Sequence, residues 1–316
     1  MFWVIYKNLE KEVIELANKL HFCDNQENIY SIYISDLLIR TAVEIEALSK
    51  ELYKSAGGNM NPVDTAGNER DLMFDSDCIQ FLDQKWGITK KRVRVVCPNF
   101  YFKKAENLEL CPLKNCNKHG KGRWKKAYQA VKHNRIESLK SGNIANLIRA
   151  LAALYILNIY YRNETYEIGT ILETTPFDIR MGSDIFAVSL VRADKYNFNS
   201  SKFTDATDED FARSILVQKF TNEAFNQISS SLVNFENNAK DKITAYQGIA
   251  DFLEENPDYK FTGYLAFAND VGGDDLVKEI VRGESIFDDI KKSKIEVVLY
   301  KGQDIYKAIE DWFIII

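Results

Sequence analysis

The 316-residue sequence is poor in the residues that carry most metal and disulfide chemistry, with three histidines and five cysteines. The cysteines (Cys23, Cys78, Cys97, Cys111 and Cys116) are odd in number and scattered, which argues against a disulfide framework and for reduced thiols. No basic stub followed by an apolar run opens the chain, so no signal peptide is expected. The most apolar stretch, "ALAALYILNIYY" at 150–161, falls short of the roughly twenty residues a bilayer span needs, and no membrane association is expected. A cytoplasmic location is the default. Internal repeats and low-complexity tracts are missing as well.

What is present is a soluble globular composition, 46% hydrophobic and 28% charged. The net charge of −5 conceals an asymmetry: residues 1–163 hold 25 basic and 18 acidic side chains, and residues 164–316 hold 16 and 28. From 90 to 140 there are 15 Lys and Arg against three acids. Such a density is the electrostatic footprint of a surface that meets phosphates, although a solvated face looks the same in composition alone.

Residues 4–20 and 29–54 read as amphipathic helices. In the second, Ile34, Leu37, Leu38, Thr41, Ile45, Leu48 and Leu52 recur at three and four, with Asp36, Arg40, Glu44 and Glu46 on or beside that face. A loop at 55–69 precedes a short helix at 75–86. "KRVRVVCPNFYF" (91–102) alternates like a strand broken by Pro98, and a basic loop spans 114–123. The longest helical pattern, 141–161, is apolar nearly all round and belongs at the centre of a bundle.

Beyond Asn163 the pattern changes. Strands are expected at 165–173, 183–193, 260–269 and 294–302, and helices at 207–237, 240–255, 273–291 and 303–313. The expected fold class is α+β: an all-helical N-terminal domain (1–163) followed by a smaller α/β domain (164–316) with a mixed sheet, the latter regulatory or sensing.

Several chemistries are weighed and set aside. Cys97, Cys111, Cys116 and His119 have the residue types of a zinc site, but C-x13-C-x4-C-x2-H is no usual ligand spacing. Asp178 and Asp184 bracket a turn, yet the following strand lacks the Glu and Lys of a metal-dependent nuclease. "GGDD" (272–275) is followed by no Lys-Ser/Thr pair, so it is no phosphate loop. No metal or cofactor is expected. His21 reads as a cap or surface residue.

"WKKAYQAVKHNR" (124–135) remains. At about 100° per residue, Trp124, Tyr128, Val131 and Arg135 form one stripe of a helix and His133 lies nearly opposite, on the stripe of Lys126, Gln129 and Glu137. The aromatic stripe is expected in the core. For Arg135 on that stripe, an ion pair with Glu44 or Glu46 of the second helix inside the bundle is the structural alternative to a phosphate contact.

Together with "LLIRTAVEIEALSKEL" (37–52) and "LIRALAALYILNIYY" (147–161), this helix resembles the HEPN superfamily over roughly residues 4–163. These are helical bundles that often act in prokaryotic toxin, phage-defence and RNA-processing systems. The resemblance implies metal-independent RNA cleavage at a site completed across a homodimer. In active members an Arg precedes a His by four to six residues; here Arg123 precedes His133 by ten, and Lys126, seven before it, stands nearest the place of that Arg.

The resemblance thus implies His133 as general acid/base, with Lys126 and Arg135 beside it at the reacting phosphate. Lys125, Lys132, Arg123 and His119 become candidate RNA contacts, and Glu44, Glu46 and Tyr128 supporting residues. The alternative is a catalytically silent module that binds RNA, a nucleotide or a partner protein with the same surface, the C-terminal half receiving a partner protein or small-molecule trigger.

Overall fold

The computed structural model of the chain describes residues 1–116, 123–199, 202, 204–302 and 305, and the fold is α+β. Helix α1 (Phe2–Ala17) buries Tyr6, Leu9, Val13 and Leu16 along one face, as a period of 3.6 requires. After β1 (Phe22–Cys23), α2 (Ile32–Ser55) begins at Ser31, whose side chain accepts from the Ile34 amide at 3.1 Å. The row from Ile34 to Leu52 anticipated by spacing is buried.

A π-type turn over Phe74–Ile79 runs into α3 (Gln80–Trp86), which Gly87 ends in the left-handed conformation at φ 61°. The alternating segment that follows is split by Pro98, which has no amide to donate, into β2 (Val93–Val95) and β3 (Phe100–Tyr101). Next come α4 (Ala105–Leu108), β4 (Glu109–Leu110), α5 (Trp124–His133), α6 (Arg135–Ser138) and α7 (Ile144–Arg162).

Nearly every side chain of α7 from Ile144 to Tyr160 is buried, and α1, α2 and α5 pack around it. By length and apolarity α7 could cross a bilayer, since the helix is 19 residues long and extends beyond the apolar run in the sequence, but 89% of its apolar window is buried inside the protein. It is the core helix of the bundle.

The second half contains β5 (Tyr166–Thr170), β6 (Phe186–Val188), β7 (Leu190–Arg192), α8 (Asp208–Arg213), β8 (Leu216–Phe220), α9 (Asn222–Ala245), α10 (Ile249–Glu255), α11 (Tyr264–Val281), α12 (Ile286–Lys292) and β9 (Lys294–Leu299). Strands β5, β9, β8 and β7 form a four-stranded sheet in that order; β8 and β7 are parallel and the other pairs antiparallel, so the sheet is mixed.

Three expectations are corrected. The segment 260–269 is no strand: α11 starts at Tyr264, and Phe267 one turn on packs against Phe252 and Tyr259, so its aromatics serve a helix–helix cluster. The helix anticipated at 207–237 is interrupted by β8, whose run "LVQKF" is flanked by strands on both sides, with Leu216, Val217, Gln218 and Phe220 buried. The half up to Asn163 is not all-helical either, because β1 pairs with β3, and β2 pairs with β4 and β6. The helix anticipated at 303–313 lies outside the described residues apart from Ile305.

Packing is continuous across Asn163. β6 joins β2, while β7, one residue further along, joins β8, so the segment 186–192 feeds two sheets. Tyr155 and Tyr160 of α7 donate to the carbonyls of Arg180 and Tyr300 at 2.9 and 2.8 Å. Glu10 of α1, fully buried, accepts from Tyr6 at 2.7 Å and from the amides of Asp184 and Ile185 at 3.0 and 3.1 Å. A single hydrophobic cluster includes residues of both halves.

Candidate nucleic-acid interface

Helix α5 is fixed by its apolar face. Trp124 is fully buried, donates its indole N–H to the Pro112 carbonyl at 2.8 Å and meets Phe74 edge-on at 6.0 Å; Ala127, Tyr128 and Val131 continue the buried stripe. The opposite side leaves Lys126, Lys132 and His133 exposed and Gln129 half-buried. His133 Nε2 lies 3.1 Å from Gln129 Oε1, one turn back. The two-faced helix read from the sequence is therefore the arrangement found.

The basic residues divide into four kinds. Lys125 is 5% exposed, ion-paired with Glu46 of α2, and sits 4.5 Å and 5.2 Å from the ring centroids of Phe74 and Tyr128. It is an internal clamp between α5 and α2 and offers nothing to a phosphate, contrary to its expected role. Arg123 is half-buried and donates to the Lys114 carbonyl at 2.9 Å, which ties down the loop before α5. His119 lies outside the described residues.

Arg135 departs from the expected geometry. α5 stops at His133, Asn134 leaves the helical region (φ −143°, ψ 72°), and its side chain caps α6 by accepting from the Glu137 amide. Arg135 thus starts a new helix and reaches Asp36 of α2 at 2.9 Å, both side chains about half exposed. Glu46, one of the two glutamates considered as its partner, is engaged by Lys125. The break at Asn134 is what frees Arg135 from the core stripe.

The remaining cations lie in the open. Lys132 stands 5.4 Å from the Tyr128 ring centroid, and its hydrogen bond with Tyr128 holds its pKa above the ordinary lysine value. Lys132 and His133 occupy the last turn of α5, where the helix dipole favours positive charge. Lys126 lies seven residues before His133, about 10 Å along the axis at 1.5 Å per residue, so the two reach different points of a bound strand. The face is an open basic surface with one imidazole. The chain matches no family model, no curated protein and no solved structure.

Other clusters are occupied by structural roles. Among the described residues no group of three or more His, Cys, Asp or Glu is placed to hold a metal. Cys97 and Cys116 are buried, and burial pushes the Cys116 thiol up to about 12. Asp184 pairs with Lys7 at 2.6 Å and Asp178 with Arg180 at 3.5 Å. A cavity of about 480 Å³ opens elsewhere, between Trp3, Arg162, Tyr166, Phe177 and Met181. Sequence spacing did not single out Asp36 as the partner of Arg135; a carboxylate on the exposed shoulder of α2 was the only available signal.

Proposed function

We propose that this chain is a HEPN-like module that binds RNA through the solvent face of α5. The observation that carries it is the division of that helix: one face is locked in the core by Trp124, Tyr128 and Val131, and the other presents Lys126, Lys132 and His133 to water. Neutralised phosphates release counterions, so affinity should fall steeply with salt. The test is RNA binding by the full chain against Lys126→Ala/Lys132→Ala/His133→Ala. Equal affinity and equal salt slope in both would remove the proposal.

A second reading, metal-independent ribonuclease, is favoured by the exposed His133 imidazole beside Lys132 and Arg135. His133 would take the 2′-hydroxyl proton as that oxygen attacks phosphorus and the P–O5′ bond breaks; a second protomer's imidazolium would protonate the leaving oxygen. A cation would stabilise the phosphorane charge. Lysine at position 126 lacks arginine's bidentate fork and Arg135 is held by Asp36, both of which favour binding over cleavage. Cleavage in EDTA that His133→Ala abolishes would support it, and intact RNA with folded protein would sink it. A homodimer, a cytoplasmic setting and a prokaryotic toxin or phage-defence role belong to the same proposal.

A further inference from the structure

The β1–β3 pair carries an aromatic feature that the α5 surface does not use. His21 and Tyr101 stack ring on ring, with centroids 4.5 Å apart and planes 23° from parallel. The strands are parallel, in a register that places Phe22 against Phe100 and Cys23 against Tyr101. Alternation turns Phe100 and Phe102 inward, each 8% exposed, and Tyr101 outward, 55% exposed. On the inner side Phe22 meets Phe100 at 5.0 Å, so the outer ring pair is mounted on a packed one.

The surroundings are basic. Lys19, two residues before His21, and Lys103 and Lys104, just after Tyr101, are all exposed. Of the carboxylates nearby in sequence, Asp24 is turned to the backbone, accepting from the amides of Lys103 and Lys104 at 2.8 and 3.1 Å and from the Asn107 side chain at 2.7 Å, while Glu106, two residues after Lys104, is exposed. Asp24 and Glu106 offset part of the charge of the three lysines. Exposed stacked rings flanked by cations are what an unpaired base and its adjoining phosphates require, because every base has a π-face whatever its sequence.

We infer that the His21–Tyr101 pair is a stacking platform for unpaired bases of single-stranded RNA, with Lys19, Lys103 and Lys104 on the neighbouring phosphates. The inference rests on the RNA-binding proposal and adds a preference to it. Bases inside a duplex are already stacked and cannot reach the rings, whereas splayed bases can. The platform therefore selects single strands, while an α5 surface of charges alone serves any phosphate backbone.

The test measures fluorescence anisotropy of an unstructured single-stranded RNA and of a duplex of equal length with the full chain. Tyr101→Ala should weaken single-strand binding about tenfold, the order of one lost base stack, and leave duplex binding unchanged. Tyr101→Phe should restore it. Lys103→Ala/Lys104→Ala should lower the salt slope, which Tyr101→Ala should not.

Single-strand affinity unchanged in a folded Tyr101→Ala, an equal loss for both RNAs, or no rescue by Phe would each overturn the inference. The Lys126→Ala/Lys132→Ala/His133→Ala variant separates the two proposals. If it binds RNA normally while Tyr101→Ala does not, the platform stands and the α5 proposal falls; the reverse pattern removes the platform alone. A wild-type chain that binds neither RNA removes both.

Discussion

Lys125 and Glu46 form an ion pair between α5 and α2, roofed by the rings of Phe74 and Tyr128. Lys126, the next residue, is in water. Neighbours on a helix point about 100° apart, so two adjacent lysines of one basic run have unrelated roles.

Lys125→Ala should destabilise the protein by about 2–4 kcal/mol, because it removes the ion-pair partner of the partly buried Glu46; the remaining exposure of Glu46 keeps the loss in the lower part of that range. Lys126→Ala should stay within about 0.5 kcal/mol. Urea denaturation of both variants decides it, and equal midpoints would contradict the buried clamp.

Lys91 is 1% exposed, donates to the Ser214 carbonyl at 2.8 Å and lies 4.6 Å from the Tyr300 ring centroid. Burial first, then the charge of Lys90, pushes its pKa down from 10.5 to about 7, with Asp83 acting in the opposite direction. Between about pH 7 and 10.5 the unfolded chain holds a proton that the folded chain lacks. This group's stabilising contribution therefore grows with pH across that window and is lost as pH falls through 7. Lys91→Met should compare best with wild type in acid, its relative stability declining from about pH 7 to about pH 10.5. Parallel pH–stability curves would refute the buried amine.

Asp36→Asn should release Arg135 at little cost to the fold, since a half-exposed ion pair contributes about 1 kcal/mol or less. If Arg135 then joins the α5 surface, RNA affinity at low salt rises a few-fold. Unchanged affinity would show that Arg135 is outside the interface.

Trp124→Ala should cost about 3–5 kcal/mol, through the cavity it leaves and the loss of the hydrogen bond to Pro112. His133→Ala, on the opposite face, should leave the thermal midpoint nearly unchanged. Thermal unfolding of the pair tests the division of α5 directly, and similar losses in both would refute it.

Much of the helical half was legible because its signal is local. The apolar row of α2 and the two faces of α5 follow from residues three and four apart, whose separation the helix itself fixes. The second half was less legible. "LVQKF" reads equally as helix or strand until β7 and β9 flank it, and "KFTGYLAFAN" alternates like a strand yet starts α11, where Tyr259 and Phe252 meet its aromatic side. Short apolar runs have no length from which their period can be settled, so long-range packing chooses.

For the candidate interface, the sequence by itself determined that Trp124, Tyr128 and Val131 share one face and Lys126 and His133 the other, since helical periodicity is a property of the chain. Tertiary structure decided which cations remain available. Glu46 of α2 draws Lys125 inside, the stop at Asn134 hands Arg135 to Asp36, and β1 beside β3 brings His21 to Tyr101 from 80 residues away. Partners that distant in sequence meet only when the core has set the positions of their backbones.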